Sequence, residues 1–416
     1  MALSRVGTQR DVDVVIDLYL EQWWVDALAA QDPSAIWMRH FYPHNYEITA
    51  LEAILDIAVI TGESRYLDAV LGAWKMFRSY WIHVGGSIAI NEAQLYPPKS
   101  YFLSPPNPDW QHPTPHPTGE LCGSSFWIKL NQRLLRLFPD EEVYAAEIER
   151  SILNVVLASV SEDGSGIRYF ARLHQHKDDA SNVSTCCEGQ GTRELGALPE
   201  YLFSTSADGV HLHLFQAATL NAEWGGAALS VDVATLWPAG DDVLVTVSAA
   251  GGESAPAPAG LGIVVRIPSW VAGSGLVVLN VTDAGGVSTT VVGSRSSYVR
   301  VEVSTLPSTI FFSLPAQFIA TVYEGFDQIG NSTRVAIERG PVLLAATVPG
   351  ALTPIGNTSC VILPALDVSR PEAWLVPVPG SPLHFSVDGA PGVVFIPYYE
   401  VQEQNFTVYP IYGGGY

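Results

Sequence analysis

Basic residues are scarce in this chain: 21 Lys and Arg stand against 42 Asp and Glu, a formal charge of -21. Such an acidic surplus repels phosphate backbones and excludes a nucleic-acid partner. It reads instead as a solvated surface that keeps the protein in solution. Long apolar runs are missing too. No stretch approaches the roughly 18 uninterrupted apolar residues of a membrane span. The opening residues, MALSRVGTQRDVDVV, lack the apolar core of a secretion signal. Cysteine is rare, with four in 416 residues, which excludes a disulfide-dense scaffold. No internal repeat stands out. What is abundant is apolar: 48% hydrophobic against 15% charged residues, enough to bury sizeable cores and to argue against disorder. The length suits two or three domains.

Residues 1–204 carry helical periodicity. Asp11 to Ala30 reads as one helix. Ile48, Leu51, Leu55 and Ala58 mark a second, stopped at Thr61-Gly62. Tyr66, Val70, Trp74, Phe77 and Trp81 mark a third, ended by Gly85-Gly86. A proline-rich connection from Ala93 to Thr118 is too long for an ordinary link and reads as a binding or lid loop. Helices follow on Cys122, Phe126, Leu130, Leu134 and Leu137, on Val143, Ile148, Ile152 and Val156, and from Glu188 to Phe203. About six helices in paired order suggest part of a helical toroid. Past residue 205 the period becomes two and turns multiply. Strands are expected at Val210–Phe215, Val243–Val247, Ile263–Ile267, Tyr298–Val303, Ile310–Leu314 and Thr333–Ile337. Ala249 to Gly260 is an internal hairpin or linker. The expected architecture is therefore multidomain α and β. A partial, barrel-like helical domain (1–204) precedes two antiparallel β-sandwiches, 205–316 and 317–416.

Five of the eleven asparagines lie in Asn-x-Ser/Thr sequons: Asn182, Asn280, Asn331, Asn357 and Asn405. Sequons matter only in a glycosylating pathway. They favour a secreted or extracellular glycoprotein whose leader is absent from this sequence, with a cytoplasmic location as the alternative. The β domains are candidate surfaces for homo-oligomer assembly.

The chemistry concentrates in Ser184-Thr185-Cys186-Cys187-Glu188-Gly189-Gln190-Gly191-Thr192, where two adjacent cysteines open a helix. Neighbouring cysteines rarely bridge each other, because the short link strains the disulfide. Two thiolates at a helix N-terminus, where the macrodipole favours negative charge, suit a metal better. Cys122, in Glu120-Leu121-Cys122, also begins a helix. Three sulfurs and a carboxylate make a four-coordinate zinc site. Zinc held by several thiolates is usually structural. A catalytic role requires a further carboxylate, and Glu92 is available, though an ordinary solvated loop glutamate is the alternative. A zinc-held thiolate can attack an electrophilic carbon while a glutamate protonates the leaving oxygen, the division of labour in retaining glycoside hydrolysis. Cys360 reads as a buried free thiol. His174 with His176, and His211 with His213, are i, i+2 pairs that would each share a strand face and could hold a second metal.

These blocks together resemble glycoside hydrolase family 127, the β-L-arabinofuranosidase-like group. The likeness runs through Gly85-Gly86, Asn91-Glu92, Gly119-Glu120-Leu121-Cys122 and Cys186-Cys187-Glu188-Gly189-Gln190-Gly191. It continues in Val264-Val265-Arg266-Ile267-Pro268-Ser269-Trp270, Val335-Ala336-Ile337-Glu338-Arg339-Gly340-Pro341-Val342, and Ile396-Pro397-Tyr398-Tyr399 with Phe406-Thr407-Val408-Tyr409. The resemblance implies an (α/α)6-barrel followed by β-sandwiches. It implies a zinc-dependent retaining hydrolase acting on L-arabinofuranosides or related glycans. Cys186 matches the nucleophile and one zinc ligand; Glu120, Cys122 and Cys187 match the others; Glu92 matches the acid/base. His44 and Asn45 match a sugar-binding helix start. The family's barrel has about twelve helices, twice the number expected here. A non-catalytic relative with structural zinc, serving as an extracellular glycan-binding or assembly glycoprotein, is the competing reading.

Overall fold

A computed structural model of the chain describes residues 8–37, 44–88, 119–177, 179–181, 185–252, 254–323, 333–355 and 358–413. Its helices are α1 (Gln9–Tyr19), α2 (Gln22–Ala29), α3 (Ser34–Trp37), α4 (His44–Thr61), α5 (Ser64–Tyr80), α6 (Leu121–Leu137), α7 (Glu142–Ser151) and α8 (Cys186–Leu202). A π-helical stretch, Ile152–Val156, extends α7 towards Leu157–Ser159. The single helix expected over Asp11 to Ala30 is two, because Leu20 and Glu21 are extended. Burial explains the break. Trp24, Val25 and Leu28 of α2 pack into the core, whereas Leu18 and Tyr19 at the end of α1 stay exposed. No described helix is long and apolar enough to cross a membrane.

The helical core is locked by polar stitches between aromatic side chains. Trp74 of α5 stacks on Trp127 of α6, their ring centroids 5.8 Å apart. The Trp74 indole donates to Asn131 Oδ1 at 2.8 Å, and the Trp127 indole to Glu147 Oε2 at 3.2 Å. A buried indole N–H needs such a partner, so these bonds set how α5, α6 and α7 lie against one another.

Beyond α8 the chain is almost entirely antiparallel sheet. One sheet runs Ser297–Glu302, Gly262–Ile267, Gly209–Leu212, Phe203–Ser206; its two middle strands are parallel. A second runs Ser288–Ser294, Leu276–Thr282, Ser308–Ser313, Asp242–Ala249, Ala227–Thr235, Ala218–Trp224. The two share one core of inward side chains, among them Val231, Val245, Ile263 and Ile310. Period-two patterning accounts for it: Val243, Val245 and Val247 turn in while Asp242 and Leu244 turn out. Between Ala249 and Gly260 a two-residue strand, Ala255–Pro256, pairs with Thr305–Leu306. The third sheet holds Phe318–Tyr323, Arg334–Arg339, Val342–Val348 and the C-terminal strands. Its far edge is His174–Gln175, paired with Phe406 and Thr407. The stretch before α8 thus completes a sheet made otherwise of the last hundred residues.

Buried polar clusters join these layers. Arg266 is fully buried and donates to Glu142 Oε1 at 2.8 Å, Glu149 Oε2 at 3.0 Å and the His213 carbonyl at 3.1 Å. Asn154, in the π-helical stretch, donates to the carbonyls of Gly85 and Pro341 and accepts from the Leu343 amide. One side chain thereby fastens helical residues to the third sheet.

The buried histidines make the fold acid-sensitive. Burial first, then His211 and Arg266, push the His213 imidazole down to about 3 from 6.5. Burial, then Arg334, takes His174 down to about 4. Unfolded, both titrate near 6.5, so below that pH the unfolded chain binds protons that the fold refuses. Stability is therefore full above about pH 6.5 and falls towards pH 4 and below, by up to about 1.4 kcal/mol per pH unit for each imidazole. Denaturant titrations across this window should show the fall, and His213→Gln should make it shallower. An unchanged slope in that variant would remove His213 from the account.

Candidate metal centre

Two helix N-termini meet at the site. Glu120 is the N-cap of α6, Cys122 lies in its first turn, and Cys186 and Cys187 are the first two residues of α8. The start of α8 is fixed locally. Thr185 is its N-cap, the Glu188 amide donates to Thr185 Oγ1 at 3.5 Å, and the Thr185 amide donates to Glu188 Oε2 at 2.7 Å. The Thr185-x-x-Glu188 spacing is that of a capping box. Hydrogen bonds from the Ser181 hydroxyl and then the Thr185 amide hold the Glu188 carboxyl below its usual range. The start of α6 is fixed from outside. Glu120 bridges Phe170, and the Leu121 amide donates to the Tyr169 carbonyl at 3.0 Å. Gly119 before it has φ +71, a conformation that side chains with a Cβ resist.

Small residues let the helices close. A Cβ on Gly191 would come within 2.8 Å of Leu121 and 3.0 Å of Ile167, so glycine permits this approach of α8 to α6. Behind it, Ser125 of α6 donates to Glu194 Oε1 of α8 at 2.6 Å, and Tyr201 donates to the other Glu194 oxygen. Arg193 Nη2 lies 2.9 Å from Glu194. A buried carboxylate satisfied on both oxygens is a firm tie, and it holds the cysteine-bearing helices in register.

The outcome is that Glu120, Cys122, Cys186 and Cys187 each bring one donor atom into a group whose members lie within 4.8 Å of one another. Cys187 Sγ is 3.1 Å from Cys122 Sγ and 3.5 Å from Glu120 Oε1. All four cysteines are free; a disulfide would put the sulfurs about 2.0 Å apart. Zinc with bonds of about 2.0–2.3 Å would hold tetrahedral donors about 3.5–3.8 Å apart, so the set has the size and chemistry for that ion. Electrostatics agree. Its hydrogen bond with Cys187, then burial, then the nearby charges push the Cys122 thiol far above its ordinary range. A divalent cation is what would let such crowded groups ionise together.

The four donors differ in one respect. Cys122, Cys187 and Glu120 are buried, while Cys186 is exposed. The Tyr169 hydroxyl lies 3.5 Å from Cys186 Sγ. Sequence spacing offered no sign of Tyr169, because backbone pairing of residues 167–171 with Glu120 and Ser181 brings it there. Glu92 lies outside the described residues. His44 and Asn45 belong to the first turn of α4, but their side chains lie outside the described part. Asn182, Asn331 and Asn357 lie outside it too, whereas Asn280 and Asn405 are described and exposed. Cys360 is buried, with its sulfur 3.2 Å from Arg334 Nη1. His211 and His213 bond to Ser206, Ser204 and Tyr298; neither histidine pair is in the one metal-competent group among the described residues.

Residues 44–200 match the family model described as the β-L-arabinofuranosidase, GH127 catalytic domain. No curated protein matches the chain. A solved structure titled glycoside hydrolase matches 99% of this chain and 74% of its own, at 17% identity and a TM-score of 0.65. A GH127 β-arabinofuranosidase matches over 99% and 67%, at 18% identity and a TM-score of 0.66. A GH127 β-L-arabinofuranosidase from Geobacillus stearothermophilus T6 matches over 89% and 60%, at 16% identity and a TM-score of 0.60. Residues 44–200 thus match the GH127 catalytic-domain model, and the fold of nearly the whole chain is similar to that of these solved glycoside hydrolases.

Proposed function

We propose that this protein is a zinc-dependent retaining glycoside hydrolase acting on L-arabinofuranosides or related glycans, with Cys186 as nucleophile. The observation that carries the reading is the exposure of one donor, Cys186, in a cluster whose other three are buried. Buried ligands can hold an ion, but only an open sulfur can reach a sugar. Glu120, Cys122, Cys186 and Cys187 would hold the zinc, which when bound keeps the thiol ionised at neutral pH. The Cys186 sulfur then forms a bond to the anomeric carbon as the carbon–oxygen bond to the leaving group breaks. Glu92 gives its proton to the departing oxygen. In the second half Glu92 takes a proton from water, whose oxygen displaces the sulfur from the same carbon, so configuration is retained. Tyr169 is placed to orient Cys186 through its hydroxyl. His44 and Asn45 would contact the sugar.

The same reading proposes a partial (α/α)6 barrel for the helical part and two β-sandwiches for the rest. It also proposes a secreted glycoprotein, supported by the exposure of Asn280 and Asn405. The test is release of L-arabinose from a panel of arabinofuranosides by the full chain loaded with zinc, beside Glu92→Gln. Turnover in the parent, lost in Glu92→Gln with zinc content unchanged, is the expected result. A parent that binds one zinc and releases no sugar from any member points to the non-catalytic, structural-zinc relative.

A further inference from the structure

At the opposite end of α8 from its cysteines, the last turns of α6 and α8 meet the edge strand Phe203–Ser206 and His213 in a cleft of about 530 Å³. Its lining includes Gln132 and Arg136 of α6, Glu200 of α8, Ser204, Ser206 and His213. Tyr201 is fifteen residues along α8 from Cys186, about 20 Å at 1.5 Å per residue, so the cleft is separate from the metal centre.

Three features describe what it would hold. The first is an unmet donor: Gln132 is 8% exposed, and its side-chain Nε2 is buried without a hydrogen-bond partner among the described residues. Such a group gains most from an incoming acceptor oxygen. The second is a fixed hydroxyl. Ser204 Oγ lies 2.8 Å from His213 Nε2, and His213 Nδ1 lies 2.7 Å from the Tyr298 hydroxyl. This relay orients Ser204 and leaves its hydroxyl further capacity to donate or accept. The third is charge balance beside apolar walls. Arg136 and Glu200 oppose each other in sign, His213 is kept neutral by burial, and Leu135 and Phe203 add apolar lining. Donors and acceptors interspersed with apolar faces, at no net charge and at a junction between layers, suit a polyhydroxylated ring.

We propose that this cleft is a second carbohydrate site, which takes a neutral monosaccharide unit away from the metal centre. The inference stands apart from the zinc chemistry, since a chain with no turnover would still bind here. The experiment is a ligand-observed NMR titration of the full chain with D-galactose and L-arabinose, with D-galacturonate as the charged comparison. Saturable binding of a neutral sugar is expected, weakened roughly tenfold in Gln132→Leu and in Ser204→Ala by loss of one hydrogen bond. Gln132→Leu should melt no lower than the parent, because it removes an unpaired buried donor. Absence of saturable binding by either neutral sugar overturns the proposal. So does binding that both variants leave unchanged, or binding of galacturonate alone.

Discussion

Arg266→Met will lower the unfolding free energy by about 3–5 kcal/mol, the cost of leaving buried carboxylates without their cation. Arg266 lies between Glu142 and Glu149, its own side chain fully buried and theirs only 3% and 4% exposed. The Trp270 indole adds a donor to Glu149 at 2.9 Å, and the Ser269 amide reaches Glu142 at 3.3 Å. Burial raises the Glu149 pKa from 4.5 despite the pull of Arg266. A carboxyl whose folded pKa exceeds its unfolded one binds more protons when folded, so it costs stability as pH rises above 4.5. Without Arg266 that cost grows, and the deficit of the variant should be larger at pH 8 than at pH 5. Guanidinium unfolding at both pH values checks this. A deficit below about 1 kcal/mol at either would class the cluster with exposed ion pairs. Replacing Glu142 and Glu149 by glutamine alongside Arg266→Met should recover much of the loss, since neutral groups need no counter-ion. The cluster also bears on the metal centre, because α7 packs on α6, the helix that begins with Glu120 and Cys122.

The contrast between this cluster and the cysteines shows what could be read in advance. The paired cysteines and the third at another helix start are local signals, legible because helix-terminal chemistry lies within four residues. Helix faces such as Tyr66, Val70, Trp74 and Phe77 were equally legible, since period and burial agree. In the sequence Arg266 is visible only as part of a motif. Its partners stand 124 and 117 residues away, and no periodicity encodes such a pairing. The same holds for the strand at His174–Gln175, which only Phe406 and Thr407 make into a strand. Asn154 is a polar residue within an apolar helical stretch, and its purpose emerges only when Gly85, Pro341 and Leu343 close around it. The break between α1 and α2 carries no local signal for a related reason: residues 11–30 keep helical periodicity throughout, and the core decides which side chains turn inward.

If Cys186 is the nucleophile of the proposed hydrolase, Cys186→Ser will cut turnover of the zinc-loaded protein by roughly 10⁴-fold or more, the scale on which loss of a covalent nucleophile is felt. A serine hydroxyl ionises far less readily than a thiol, so the group facing the sugar is no longer a competent nucleophile. The metal should respond less. Glu120, Cys122 and Cys187 are buried and would still hold an ion, their helices α6 and α8 tied by the Ser125–Glu194 hydrogen bond. Cys122→Ser should behave differently, because a buried sulfur is removed from the set and the helix starts it joins lose their common anchor. Zinc content by mass spectrometry, melting temperature and turnover, measured together on both variants, separate the two roles. The expected pattern is low turnover with most zinc and melting temperature kept in Cys186→Ser, and loss of all three in Cys122→Ser. If Cys186→Ser instead loses zinc and melting temperature as Cys122→Ser does, the exposed sulfur is one more structural ligand. The asymmetry of burial would then have no catalytic meaning.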